Sequence, residues 1–289
     1  MGLDGSLELV SWNVAGRVRR LDEQVEQIAG LQADAVCLQE LTASTLPVWR
    51  ERLLDTGYAT VEHPHVSTAG ERTRPLFVLS AWREVARQVP VAGVPWPERV
   101  LALMLDDGTE LVNVHSPISP KPGLAKVNTH RAVYEHIAGA DRRTCLLCGD
   151  LNTPRREQAD GTIWTFARDR YGRLRPDRGR EWDAAELLLV RDLERYGFRD
   201  AFRALHGYGK REISWGWQRW EGGYRLDHLL VSGLAIEECR YEHSWREQGL
   251  SDHSPLIARL RSDGRGTKIR RRPSIAVPPG SRGHSARQR

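Results

Sequence analysis

Eight short segments rich in leucine and β-branched residues, at 7–14, 34–39, 76–82, 100–105, 111–115, 144–148, 226–231 and 255–260, punctuate the first 260 residues. Each has the length and composition of a β-strand. None approaches the roughly 20 apolar residues of a membrane span. Helical spacing appears between them: in Leu21, Val25, Ile28 and Leu31; in Val127, Ala132, Tyr134 and Ile137; and over 184–196, where Leu187, Leu188 and Val190 fall near one face. Segments 100–105 and 111–115 follow one another without a helix, and Asp106-Asp107-Gly108-Thr109 supplies a hairpin turn. This mixture predicts an α/β domain with partly antiparallel sheets, not a simple doubly wound parallel sheet. No repeat and no linker precedes residue 261, so residues 1–260 read as one domain.

Charge separates the last segment from the rest. After Leu260 stand nine Lys/Arg and one Asp, whereas residues 1–260 hold 34 basic and 37 acidic residues. The basicity behind the pI of about 9.2 therefore belongs to 261–289. Its Gly, Pro, Ser and Arg content predicts a disordered tail, either a loose nucleic-acid arm or a solvated extension. The composition of the whole chain, 40% hydrophobic and 28% charged, fits a soluble globular protein. Met1 to Leu9 lack a basic n-region and an apolar h-region, which argues against a secretory signal and for a cytoplasmic, membrane-free protein; a monomer is favoured. Cys145 and Cys148 form a C-x-x-C, open to a zinc or redox reading. Their apolar surroundings and the lack of a second pair favour reduced core thiols.

The chemistry lies at the ends of the strands. Asn13 ends Leu9-Val-Ser-Trp-Asn13, Glu40 ends Val36-Cys-Leu-Gln-Glu40, and His115 ends Leu111-Val-Asn-Val-His115. Asp150 and Asn152 follow Leu146-Leu-Cys-Gly. Asp227 sits in Tyr224-Arg-Leu-Asp-His, and Asp252 and His253 in Gly249-Leu-Ser-Asp-His-Ser-Pro255. Any one of these is more often a turn residue or an ordinary histidine. Six strand ends carrying groups able to bind metal, move a proton or hold phosphate point to one cleft.

In its order and motifs, from about residue 7 to 260, the chain resembles the endonuclease/exonuclease/phosphatase superfamily. The resemblance implies a four-layer α/β sandwich, two packed mixed β-sheets flanked by helices (DNase I-like), and a metal-dependent phosphoric ester hydrolase. It further implies that Glu40 holds Mg²⁺ or Mn²⁺ with Asn13 beside it, and that Asp252 also binds metal. Asp150 then orients or deprotonates the attacking water, and Asn152 donates to the phosphate. His253, held by Asp227, contacts the scissile phosphate, and His115 donates to phosphate or protonates the leaving group.

Gly197-Phe-Arg-Asp-Ala-Phe-Arg203 and Ile213-Ser-Trp-Gly-Trp-Gln-Arg219 resemble the exonuclease-III branch. Trp215 and Trp217 are candidates to stack on a base, or are plain hairpin aromatics, and Arg17 is a candidate phosphate contact. The branch's tyrosine-bearing loop is replaced by Val114-His-Ser-Pro-Ile-Ser119, closer to DNase I. Leu41-Thr42 and Ala15 also depart from the branch. These residues favour a nuclease with nucleic acid as partner and no abasic-site specialisation. A phosphatase or phosphodiesterase of a small molecule or lipid headgroup is the second reading, and a silent nucleic-acid-binding module the third. The arginine-rich stretch 153–181, with eight arginines and five acids, is expected to face substrate. His63-Pro-His65 has the shape of a ligand pair but no evident third partner.

Overall fold

The computed structural model describes residues 6–65, 75–118, 123–139, 144–217 and 222–262. At its centre are two six-stranded sheets. The first runs β3 (Thr60–Glu62), β4 (Phe77–Trp82), β2 (Ala35–Leu41), β1 (Ser6–Asn13), β16 (Leu256–Ser262) and β15 (Leu234–Tyr241). The second runs β11 (Arg199–Asp200), β14 (Asp227–Ser232), β8 (Cys145–Asp150), β7 (Glu110–His115), β6 (Val100–Leu105) and β5 (Ala86–Val89). Only β1 with β2 and β7 with β8 pair in parallel; the other neighbours are antiparallel. The β6–β7 turn is the expected one, with Gly108 at φ +84 and Thr109 N donating to Asp107 Oδ1.

Side-chain alternation along the strands generates the layers. On β1, Leu7 and Leu9 pack between the sheets with Leu111, Leu146, Leu229 and Leu260. The opposite face, Val10 and Trp12, packs with Ile28 of α1 (Leu21–Leu31) and with Trp49 and Leu53 of α2 (Leu46–Asp55). On β8, Leu146 and Cys148 point inward. Cys145 and Leu147 instead meet Val133 and Ile137 of α3 (Ala125–Ala138) and Leu187 of α4 (Gly179–Val190). Both faces of these strands are buried, which is why they read as continuous apolar runs. Burying each such leucine contributes roughly 1.5–3 kcal/mol. The same alternation puts Cys145 and Cys148 on opposite faces, where they cannot share a metal, and all four cysteines are free and buried. Among the described residues no helix is long and apolar enough to cross a membrane.

Several elements differ from the sequence expectation. The third helix starts at Gly179, five residues before the expected start, and after Val190 gives way to a 3-10 turn over Asp192–Tyr196. Its first turns carry buried polar groups, Asp183 and Glu186, which break the apolar period. Part of the stretch expected to face substrate is tied down by local structure and by contacts with the following helix. It forms a hairpin of β9 (Arg156–Glu157) and β10 (Ile163–Trp164). Arg168 pairs with Asp183, Arg175 with Asp177, and Arg178 lies 4.3 Å over Trp182. The rings of His63 and His65 lie 5.4 Å apart, tilted by 55°, and join no described metal-competent cluster. The tail from residue 263 lies outside the described residues.

Gly149 shows how tightly β7 and β8 meet. At φ +126 it lies where a Cβ would approach Val114 O at 2.0 Å. Overpacking of this kind costs about 1–3 kcal/mol. Gly149→Ala is therefore expected to lower Tm by several degrees and to part the strands beside His115 and Asp150. An unaltered Tm in thermal unfolding would contradict this.

Candidate metal and phosphate site

The inner face of β1 continues from Leu7 and Leu9 to Ser11 and Asn13. On β7 it continues from Leu111 to Asn113 and His115, and on β8 from Leu146 and Cys148 to Asp150. Strand β14 runs the other way, so its inner face ends at Asp227. The apolar layer between the sheets thus turns polar at one end. Register places His115 opposite Asp150 and Asp150 opposite Asp227. Regular alternation would leave Glu40 on the helix side with Val36 and Leu38. A φ of +61 and a register shift between Leu38 and Leu41 bring it round instead. Ala15, Glu40 and Asn152 are three of the four described non-glycine residues at positive φ. Such strain costs of order 1–3 kcal/mol per residue and clusters at functional sites.

Asp150 is the hub. Its Oδ2 accepts from Asn13 Nδ2 at 3.0 Å and lies 3.9 Å from His253 Nε2 and 4.0 Å from His115 Nε2. Its Oδ1 accepts from Asn152 N at 2.9 Å. His253 Nδ1 meets Asp227 Oδ2 at 2.8 Å. Asn152 Nδ2 donates to Ser116 O at 2.7 Å, which leaves its second N–H to point elsewhere. His115 Nε2 lies 3.3 Å from Glu40 Oε1, yet neither ring nitrogen has hydrogen-bond geometry with a partner among the described residues.

The electrostatics divide these groups. Burial disfavours the Glu40 carboxylate, but His115 and Asn13 beside it outweigh burial and bring its pKa down to about 2. Burial pushes the Asp150 carboxyl above its ordinary range, partly offset by His253 and His115. For His253, burial opposes protonation while Asp227, with Asp150 and Asp252, overcomes it and raises the pKa to about 10.

Two sets of ligand atoms lie within 4.8 Å of one another: those of Glu40, His115 and Asp150, and those of Asp150, Asp227 and His253. Carboxylate oxygens with an imidazole suit a small hard divalent cation. Among the described residues the buried Asp227 Oδ1 and both His115 nitrogens have no hydrogen-bond partner, so these residues fit such an ion. Asp252 stands outside both sets, and its Oδ2 accepts the indole N–H of Trp215 at 3.1 Å. Asn13 engages Asp150 and, through Oδ1, Ala15 N.

Beside the hub runs the hairpin of β12 (Trp215–Gly216) and β13 (Gly223–Tyr224). Trp215 lies parallel to Tyr224 at 6.0 Å. Trp217, 41% exposed, shares a cleft of about 490 Å³ with Arg17, Arg246, Ser251 and Asp252. Arg17 and Trp217 therefore border one cleft, while Trp215 does not line it and instead holds Asp252 and faces Tyr224.

Supporting residues carried no sequence signal. Ser251 Oγ donates to Asn13 O and accepts from His253 N, and Trp12 Nε1 donates to His253 O. Ser214 Oγ accepts from Asp227 N. The buried Lys126 Nζ donates to Asn152 O at 2.7 Å and pairs with Glu186 at 3.1 Å. Each joins segments distant along the chain, where no local spacing reports the contact. A polar residue flanking a strand-end motif, as Ser251 does, is the one available hint.

The sequence model of the Endonuclease/Exonuclease/phosphatase family matches residues 10–253. Among curated proteins, none matches the chain in sequence. Solved structures similar to it include an AP endonuclease from Archaeoglobus fulgidus, at 18% identity and TM-score 0.67, covering 87% of this chain and 98% of that one. Another is the 3′ phosphatase NExo from Neisseria bound to a product DNA hairpin, at 22% identity and TM-score 0.64, covering 87% and 98%. A third is D. rerio TDP2 complexed with a single-strand DNA product, at 14% identity and TM-score 0.60, covering 90% and 100%. At these identities the likeness is one of fold.

Proposed function

The chain belongs to the endonuclease/exonuclease/phosphatase family, a family of phosphoester hydrolases, and from that premise we propose that it is a divalent-metal-dependent nuclease cleaving phosphodiester bonds of DNA or RNA. The observation that carries this reading is the buried Asp150 carboxylate, fixed by Asn13 and Asn152 N between His253 on one side and the Glu40–His115 pair on the other. Asp150 orients a water and takes its proton as it attacks phosphorus. Asp227 holds the His253 imidazole so that Nε2 faces the phosphate oxygens. The free N–H of Asn152 donates to charge that grows in the transition state. His115 protonates, or donates to, the leaving oxygen. Glu40, with Asp150, would hold Mg²⁺ or Mn²⁺, and the ion would neutralise charge on the phosphate and the leaving group.

Arg17 and Trp217 along one cleft support a nucleic-acid substrate, since an aromatic face stacks on any base. His115 replaces the contacts that favour an abasic strand, so abasic sites are expected to be preferred weakly or not at all. Four free, buried thiols are in keeping with a reducing, cytoplasmic setting. The test is a panel of plasmid, single-stranded DNA, RNA, an abasic duplex with its intact twin, and small phosphoesters, each with Mg²⁺ or Mn²⁺ at one salt concentration. Cleavage of intact strands is expected. A preference of several orders of magnitude for the abasic duplex would reassign the enzyme. Turnover of small phosphoesters alone would favour the small-molecule reading.

A further inference from the structure

A second cleft, of about 500 Å³, opens where Pro154 and Arg155 leave the site segment, and Arg156, Lys210, Arg211 and Tyr224 also border it. It adjoins the candidate site through Pro154, two residues after Asn152, and through Tyr224, which lies parallel to Trp215. We propose that this cleft carries the phosphodiester backbone of one nucleic-acid strand to or from the site, with Arg155, Arg156, Lys210 and Arg211 as its phosphate contacts. The inference rests on the nuclease reading above and names where its polymeric substrate lies.

The argument is one of charge left over. The carboxylates at the cleft are already engaged. Glu157 receives Arg203 at 2.7 and 3.1 Å and Arg225 at 2.6 and 2.8 Å, and both arginines are buried. Asp200, behind them, takes Arg225 at 2.8 Å and caps α5 (Ala201–His206) through Arg203 N. Glu212 receives His243 at 3.0 Å and Ile213 N at 2.9 Å. These contacts hold the Glu157 and Glu212 carboxyls below their ordinary range against the opposing effect of burial. Arg203 and Arg225 thus cancel Glu157 and Asp200 beneath the cleft, while its rim keeps four cations against one acid, Glu212, which Lys210 also offsets.

Arg156, Lys210 and Arg211 are exposed and Arg155 is half-buried. Among the described residues none of the four forms an ion pair. Asp169, which Arg155 feels at longer range, is held by the backbone N–H groups of Tyr171 and Arg173. Two of the cations are backed by rings: Arg156 lies 5.6 Å from Trp164 and Lys210 lies 5.2 Å from Phe202. Scattered surface cations are usually solvated and silent. Here they gather on one concave surface beside the candidate site, with the local acids withdrawn. Four cations exceed what one phosphate monoester engages, which favours a chain of several phosphates.

The test removes charge in two pairs, Arg155→Gln with Arg156→Gln, and Lys210→Gln with Arg211→Gln, so that no buried group changes. Steady-state cleavage of long single strands of DNA and of RNA is measured over a range of salt with Mg²⁺ or Mn²⁺. Each pair is expected to raise KM about tenfold, with a smaller effect on kcat, and to flatten the slope of log(kcat/KM) against log[salt] by about 1.4, since each phosphate contact on a single strand contributes about 0.7. The loss should deepen with strand length. Arg87→Gln, on edge strand β5, removes an exposed arginine elsewhere and serves as the comparison. Strands cleaved with KM and salt slope unaltered in both pairs, or altered equally per charge by Arg87→Gln, would overturn the inference while leaving the nuclease reading intact. A chain that cleaves no nucleic acid would overturn both.

Discussion

Asp150→Asn and His253→Gln should each lower kcat by about 10²–10⁴-fold, the range of a positioned acid or base, and the double variant should fall little further. The geometry requires this coupling. Asp150 Oδ2 lies 3.9 Å from His253 Nε2, and His253 is itself held by Asp227 at 2.8 Å. Water activation at Asp150 is useful only while the phosphate is held beside it, so removing either group disables the same transition state. Residues that act as a unit show such non-additive losses. Both substitutions leave scaffolding in place. The amide that replaces the Asp150 carboxylate keeps an oxygen to accept Asn152 N and gives up only the acceptor for Asn13 Nδ2. The amide that replaces the His253 ring keeps a donor within reach of the buried Asp227. Thermal unfolding should therefore show folded variants, and steady-state rates of the two singles and the double complete the cycle. Losses that multiply would show that the two residues act on separate steps.

Much of this site was legible because alternation in a strand is a rule of period two. Asn13, His115, Asp150 and Asp227 each end an apolar run, and register carries all four to one end of the inner layer. Glu40 obeys the rule only through its left-handed backbone, which no composition announces. Strands β3, β5 and β15 give little sequence signal, for different reasons. The first two are short edge strands, and β15 carries Glu237, Glu238 and Arg240 across a bulge, so its apolar signal is diluted. Helix α2 is equally hard to read although Leu46, Trp49 and Leu53 mark a face, because Pro47 near its start reads as a breaker while acting as a first-turn residue. Asp252 illustrates the limit of motif position. It adjoins His253 in sequence, yet its carboxylate accepts from Trp215 and is not among the clustered ligand atoms. The contacts of Trp12 with His253 O and of Ser251 with Asn13 O span more than 200 residues of chain and are set by the fold alone.

Glu40→Gln should remove most of the activity, and raised Mg²⁺ or Mn²⁺ should restore part of it. The carboxylate sits in a backbone conformation that costs of order 1–3 kcal/mol, and it is kept ionised although burial opposes its charge. A hydrogen-bonding role alone would not need that charge, since a glutamine offers the same oxygen. A cation ligand does need it. Metal binding to the folded chain alone adds RT ln(1 + [L]/Kd) to stability, about 2.7 kcal/mol at a hundred times Kd. The parent chain should therefore gain several degrees in Tm on addition of Mg²⁺ or Mn²⁺. Glu40→Gln, with a weaker site, should gain much less at the same concentration. This thermal readout is independent of turnover and separates a ligand from a residue that merely shapes the cleft. Equal Tm gains in the two chains would remove Glu40 from the metal site, and full activity of the parent in excess chelator would remove the metal from the reaction.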